Sequence, residues 1–265
     1  MVVIDREKCI GCGQCARDCF AMILDVKDGK AEIKDGHCIE CGHCVAVCPM
    51  GAVSLEGYDD EKIIPLKDID YDIDPQVYLN FIRATRTVRQ FKDKKVEKEK
   101  IEMMLEGARY SPTGGNLQNV RYIVLQDETE KFKKEAEEEL YEAAKEVLKG
   151  PDANNMHLYA GLWKKMYEED IDRLFYGGGT VVCTVSNAQI PGTLTAARIE
   201  EMAYMMGLGV CYCGFFCRAV NGSEKLRRKL GLKDDEQMVC ALVLGYPDVR
   251  FQRTVPRKKA DINWL

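Results

Sequence analysis

Eight cysteines in the first fifth of the chain constrain its fold more than any other feature. They read Cys9-x2-Cys12-x2-Cys15-x3-Cys19 and Cys38-x2-Cys41-x2-Cys44-x3-Cys48-Pro49. This twice-repeated spacing suits two [4Fe–4S] cubes, because three thiolates of a run cap one cube and the fourth reaches across to the other. Cluster 1 would take Cys9, Cys12, Cys15 and Cys48, and cluster 2 would take Cys38, Cys41, Cys44 and Cys19. Paired Cys-x2-Cys elements also suit tetrahedral zinc. Zinc leaves unexplained the third cysteine at the same interval and the x3-Cys-Pro ending. A disulfide framework fits less well, because Met1–Lys8 is already charged and no apolar signal-peptide stretch follows it. Cys19-Phe20 lacks the proline that follows Cys48, but proline there only stiffens the loop exit, so both cubes stand.

The chain has 265 residues, 46% of them hydrophobic and 31% charged, enough for one sizeable core and a small satellite. No run of about eighteen apolar residues occurs, so no membrane span is expected. The other five cysteines, Cys183, Cys211, Cys213, Cys217 and Cys240, read as free thiols in a reducing cytoplasm. Oxygen-sensitive clusters would suit an anaerobe. The net charge of −5 is uneven: residues 1–56 hold six Lys/Arg against nine Asp/Glu, and residues 57–74 hold two against seven. An acidic front disfavours nucleic acid as partner.

Residues 1–56 form a pseudo-repeat, each half reading as short strand, cysteine loop, short helix, short strand. Residues 57–74 read as an acidic surface linker. Residues 75–265 alternate helices with a few strands, which predicts an α+β, three-layer core. Asp74-Pro75 is an N-cap followed by proline at the first helical turn. The helix it starts would run toward Thr87-Val88-Arg89, and a second would cover Val96 to Arg109. A third would cover Asp127 to Lys149 and a fourth Asn155 to Phe175. Leu194 to Met206 is expected as an apolar helix with Ala197, Met202, Met205 and Met206 inward. Strands are expected at Val120–Gln126, Thr180–Val185 and Val239–Gly245.

Four stretches of residues 75–265 carry a second chemistry. Arg83-Ala84-Thr85-Arg86-Thr87-Val88-Arg89-Gln90-Phe91 would place Arg86 and Arg89 on one helix face, suited to a phosphate or a polar ring edge. The plain alternative is a solvated basic face. Ser111-Pro112-Thr113-Gly114-Gly115-Asn116-Leu117-Gln118-Asn119 is a loop where backbone can approach a flat ligand. Gly207-Leu208-Gly209-Val210-Cys211-Tyr212-Cys213-Gly214 and Leu244-Gly245-Tyr246-Pro247, with Arg250, Arg253 and Arg257 beyond, complete the set. Each alone also reads as ordinary structure: a turn, a buried strand, a basic tail.

In this order and spacing the four resemble the nitroreductase family of FMN-dependent flavoproteins, over essentially all of residues 76–265. With the cysteine runs included, the chain resembles a ferredoxin–nitroreductase fusion. The resemblance implies a small ferredoxin-like two-cluster domain followed by a nitroreductase-like three-layer α+β FMN-binding domain, and a homodimer with FMN at its interface. By motif, Arg86 and Arg257 would hold the FMN phosphate, with Arg83 or Arg253 helping. Thr87 would touch the phosphate or ribityl chain, and Arg89 would face the N1/O2 edge. Ser111, Pro112 and Thr113 belong to the loop whose Asn116 and Gln118 would bind the ring or ribityl edge. Tyr212, Cys213 and Gly214 would lie near N5. Asn119-Val120 stands where the family has Pro-Trp, and Thr85 where it often has an arginine. The implied reaction is reduction of a small electrophile, nitroaromatic by the family's habit, with electrons from a redox protein or NAD(P)H. Reversed flow out through the clusters, reductive dehalogenation, enone reduction and a non-catalytic redox sensor or electron carrier are the alternatives.

Overall fold

The structure is a computed structural model describing residues 1–58 and 63–265. Residues 59–62 of the expected linker lie outside the described residues. The chain divides into two compact units, Met1–Ile73 with Thr113–Leu117, and Asp74–Pro112 with Gln118–Leu265.

The first unit contains β1 (Val2–Ile4), α1 (Gln14–Asp18), β2 (Leu24–Lys27), β3 (Lys30–Ile33), α2 (His43–Ala46) and β4 (Val53–Leu55). β1 pairs antiparallel with β4 and β2 with β3, so each half of the pseudo-repeat lends one strand to each ribbon. Both short helices start from glycines in the left-handed region, Gly13 at φ 72° and Gly42 at φ 75°, which a side chain would resist. Gly11 is more tightly bound: a Cβ there would sit 2.1 Å from the Gly29 carbonyl oxygen. The core is small, with Val2, Ile23, Leu24, Val53 and Leu55 packed among Cys9, Cys15 and Cys44.

The second unit opens with α3 (Pro75–Ala84), whose N-cap Asp74 accepts from the amides of Gln76 and Val77 as the sequence predicts. It continues with α4 (Lys98–Ala108), β5 (Arg121–Leu125), α5 (Thr129–Val147), α6 (Met156–Glu168) and β6 (Thr180–Ser186). Then come α7 (Gln189–Met205), β7 (Gly209–Tyr212), α8 (Gly214–Gly222), α9 (Glu224–Lys229) and β8 (Gln237–Gly245). The four strands form an antiparallel sheet in the order β5-β6-β8-β7. One helical layer, α4 and α7, supplies Ile101, Met104, Ala196, Ile199 and Ala203 to a core containing Val182 and Leu242. The other, α5, α6 and α8, packs Phe132, Leu140, Trp163 and Phe216 with Cys183 and Val243. Side chains alternate across the sheet, so Val182 and Cys183 enter different cores.

Three expectations shift. The first helix stops at Ala84, because Thr85 turns extended (ψ 140°) and the Val88 amide donates to Val210 O at 2.9 Å. Arg86 and Arg89 therefore share an extended segment and not a helix face. The fourth helix ends at Glu168, short of Phe175. α7 starts five residues early and its inward face is rotated: Met202 and Met206 pack against the core as expected, Ala197 and Met205 are exposed, and Gly192, Ala196 and Ala203 are buried. Small residues win that face because the sheet comes close. A Cβ on Gly192 would lie 2.7 Å from Val239.

Candidate functional site

Within the first unit, the cysteines converge on two cavities. One is walled by Cys9, Cys12, Cys15 and Cys48, with Gly11, Ala31 and Met50 around them. The other is walled by Cys19, Cys38, Cys41 and Cys44, with Phe20, Ile39 and His43. In each, three thiols come from one run and the fourth from the other. Main-chain amides point at the sulfurs: Ala31 N–H donates to Cys9 Sγ at 3.3 Å, Ala52 N–H to Cys48 Sγ at 3.2 Å and Glu40 N–H to Cys38 Sγ at 3.3 Å. The Ala31 amide, foremost among several groups, holds the Cys9 thiol below its ordinary range. Burial pushes Cys44 up to about 11. Such amide donors stabilise negative charge on sulfur, and the sequence alone does not announce Ala31 or Ala52 in this role.

Asn116 belongs to this unit. Its Nδ2 donates to Ile39 O at 3.2 Å and to Glu40 O at 2.9 Å, between Cys38 and Cys41. Thr113 lies in the same segment.

Within the second unit, three of the four motifs meet at the β7–β8 edge of the sheet. Phe91 forms a bridge with Pro247, Lys92 N–H donates to Tyr246 O and Asp248 N–H to Gln90 O, both at 2.8 Å. Val88 N–H reaches Val210 O, and Tyr204 Oη donates to Arg86 O at 2.6 Å. The glycines of the motifs are needed for this closeness: a Cβ on Gly209 would lie 2.6 Å from Val88, and one on Gly245 would lie 2.9 Å from Phe91. Tyr246 is pinned by donating to Glu97 and accepting from Lys100 Nζ at 2.8 Å. That hydrogen bond to Glu97 is the main reason its carboxyl is held down at about 2. Tyr204, Glu97 and Lys100 lie outside the motifs, and only the fold reveals their part.

A cavity of about 270 Å³ opens here, lined by Phe81, Thr85, Arg86, Val88, Tyr204, Leu208, Pro247 and Phe251. Arg86 is its one charged wall residue. Arg89 is exposed, lies 5.9 Å from the Tyr176 ring and faces the Cys211 thiol. Arg83 is exposed, and Thr87 is half-buried. Tyr212 ends β7 half-exposed, its hydroxyl held protonated by burial and by Glu200. Cys213 is buried, its amide donates to Ala241 O, and Gly214 opens α8. Arg253 and Arg257 lie on the exposed stretch 250–265, which has no regular secondary structure, and do not line the cavity.

The fourth motif is divided. Ser111, Pro112 and Gln118 belong to the second unit. Ser111 Oγ is buried without a hydrogen-bond partner among the described residues. Gln118 precedes β5, the edge strand opposite β7. The remaining cysteines form a separate population. Burial raises the thiols of Cys183, Cys211, Cys213 and Cys240, and pushes Cys217 up to about 12. Among the described residues, no helix is long and apolar enough to cross a membrane.

A family model described as the nitroreductase family matches residues 82–246, and one described as a 4Fe-4S dicluster domain matches residues 1–49. A solved nitroreductase with bound FMN from Desulfitobacterium hafniense is similar over 70% of this chain and 97% of its own, at 21% identity and a TM-score of 0.55. Another with bound FMN, from Bacteroides fragilis, covers 70% and 98%, at 17% identity and a TM-score of 0.53. A component of the ion-translocating oxidoreductase complex of Methanosarcina acetivorans is 45% identical over 47 residues, 18% of this chain and 18% of that protein. A ferredoxin from Pyrobaculum islandicum is 41% identical over 54 residues, 20% of this chain and 50% of its own. The chain thus spans half or less of the length of these two curated relatives.

Proposed function

This chain belongs to the nitroreductase family and carries a 4Fe-4S dicluster ferredoxin domain ahead of that domain, and from this premise we propose an FMN-dependent oxidoreductase that reduces a small, nitroaromatic-like electrophile with electrons delivered through two [4Fe–4S] clusters. The observation that carries the reading is the pair of four-thiol cavities in the same chain as three converging flavin motifs.

The donor set fits the clusters. Each cavity offers four soft sulfur ligands, the number a cube requires, with peptide N–H groups aimed at sulfur. Cys9, Cys12, Cys15 and Cys48 would hold one cluster, and Cys19, Cys38, Cys41 and Cys44 the other. The second unit fits an anionic, flat cofactor. Arg86 puts one positive charge into a cavity walled mainly by apolar side chains, where an ionic contact to phosphate is strengthened. The buried, unpartnered Ser111 Oγ is a hydrogen-bonding group that a ribityl chain would satisfy. When bound, the clusters supply single electrons and FMN converts them to two-electron chemistry.

The chain's own residues do the rest. Arg89 would supply positive charge to the N1/O2 edge of a bound flavin, where it would favour an anionic reduced ring. Apolar walls from Val88, Leu208 and Phe251 exclude water. Thr87, Gln118, Tyr212 and Gly214 stand as further contacts by motif. Cys213, buried and protonated, acts as a small packing residue beside them. Arg253 and Arg257 would join the phosphate site by folding of the tail.

The site is completed by a second copy of the chain. The Gln118 edge and the Tyr212 edge are three strand spacings apart, roughly 14 Å. One sheet therefore cannot bring them to the same ring. α3 buries none of its residues, and Val77, Ile82 and Trp264 are exposed, which suits an intimate homodimer. Anaerobic iron, sulfide and flavin analysis tests the proposal. About eight irons and one FMN per chain are expected. Zinc in place of iron, or full clusters with no flavin, would overturn it.

A further inference from the structure

Asn116 is held in the first unit by two hydrogen bonds whose geometry has a chemical consequence for one cluster. Its side-chain nitrogen donates to the carbonyls of Ile39 and Glu40. Both acceptors are carbonyl oxygens, so the amide orientation is fixed: only the NH2 end can serve them. The Ile39 carbonyl and the Glu40 N–H belong to one peptide group, and that N–H donates to Cys38 Sγ at 3.3 Å. The result is a chain of three polar groups: Asn116 amide, Ile39–Glu40 peptide, Cys38 sulfur. Hydrogen bonding to a peptide carbonyl polarises the peptide and makes its N–H a better donor. A stronger N–H···S bond withdraws charge from the ligand sulfur, which favours the reduced cluster.

Two backbone features mark this contact as one the fold maintains against strain. Asn116 has φ 54° and Glu40 has φ 51°, both in the left-handed region. Asparagine tolerates that region, while glutamate does so only under external hold. The Glu40 main chain is gripped on both sides, by Asn116 on its carbonyl and by Cys38 on its N–H. In the other cavity, Cys9 takes N–H donors from Ala31 and Gly11, and Cys48 takes one from Ala52, with no side-chain amide of this kind behind them among the described residues.

We propose that Asn116 is a positioning residue that raises the reduction potential of the cluster held by Cys19, Cys38, Cys41 and Cys44 relative to the cluster held by Cys9, Cys12, Cys15 and Cys48. The inference rests on the two-cluster reading above. It gives the residue a role that the flavin-loop motif does not assign: the Asn116 amide shifts the potential of the Cys38 cavity's cluster alone.

The test is an anaerobic redox titration of the full-length protein followed by electron paramagnetic resonance. Asn116→Gly deletes the amide and keeps the left-handed backbone at no steric cost. Asn116→Asp keeps the shape and replaces the donor by a carboxylate facing two carbonyls. One cluster potential should fall in the order wild type, Gly variant, Asp variant, with the other cluster unmoved and the iron content unchanged. Unmoved potentials in both variants, or equal shifts of both clusters, would overturn the proposal. Loss of half the iron in both variants would also overturn it, by showing that the amide only holds the loop. A wild-type protein that binds no iron–sulfur cluster would instead refute the parent reading.

Discussion

Replacing Gly209 by alanine tests whether close packing between two motifs builds the second unit's site. Gly209 does not have a positive φ, so alanine meets no backbone strain there. Its new Cβ would lie 2.6 Å from Val88 Cγ2, 2.8 Å from Cβ and 3.0 Å from Cγ1. Overpacking of this kind costs about 1–3 kcal/mol. Val88→Ala should cost a similar amount: two buried methyl groups at about 0.8 kcal/mol each, plus a cavity contribution. The pair is informative together. Val88→Ala removes two of the three clashing atoms and leaves the Cβ contact, so relief in the double variant is partial. The double variant should be less destabilised than the sum of the singles by about 1 kcal/mol, within the range for touching residues. Urea unfolding followed by circular dichroism measures all four corners of the cycle, and FMN titration by fluorescence quenching follows the site in the same proteins. Both single variants should bind FMN more weakly, with part of the loss recovered in the double. Additivity to within about 0.5 kcal/mol would refute the direct-packing argument.

Cys48→Ala should halve the iron content and leave the spectrum of the cluster held by Cys19, Cys38, Cys41 and Cys44, because the fourth ligand of the Cys9 cavity comes from the other run. Arg121 grips Glu236 through two nitrogens at 2.8 and 2.7 Å, and that contact is the leading cause holding the Glu236 carboxyl at about 2. A depressed carboxylate stabilises the fold above its unfolded pKa near 4.5 and loses that contribution as pH falls toward about 2. Glu236→Gln should therefore flatten the fall in unfolding free energy across that window, at a cost near neutrality of about 1 kcal/mol for a pair whose arginine is still partly in solvent. Removing residues 252–265 should weaken FMN binding and shift sedimentation toward monomer, while iron content stays constant. Stopped-flow mixing with NADPH should leave the flavin oxidised, whereas a reduced low-potential ferredoxin should bleach it.

Local, repeated signals were legible in the sequence. The spacing of the eight cysteines marks out the walls of two cavities, and Asp74-Pro75 marks a helix start that the structure reproduces. The strand runs at Thr180 and Val239 fall where their β-branched content puts them. What failed was decided by tertiary contact. Thr85 to Arg89 has enough helical neighbours to read as helix, but β7 captures the Val88 amide and draws the segment out. The inward face of α7 was read only in part: Met202 and Met206 do pack against the core, but the approach of the sheet selects glycine and alanine at its centre. Asn116 shows the same limit most clearly. Its motif places it in a flavin loop, and no local pattern announces that its amide is bound to carbonyls far earlier in the chain.

The division of the thirteen sulfurs bears on how such a protein matures. Five of them sit largely buried in the second unit and are kept as neutral thiols, Cys217 up to about 12 and Cys183 fully buried. A neutral, poorly accessible thiol competes weakly for ferrous iron and reacts slowly with oxidants. If the second unit folds before metal is supplied, its five thiols are withdrawn as competing ligands, and the two cysteine-walled cavities of the first unit are left as the sites where four sulfurs converge. A chain metallated while that unit is still open would offer thirteen sulfurs; folding of the unit sets five of them apart from the eight that line the two cavities.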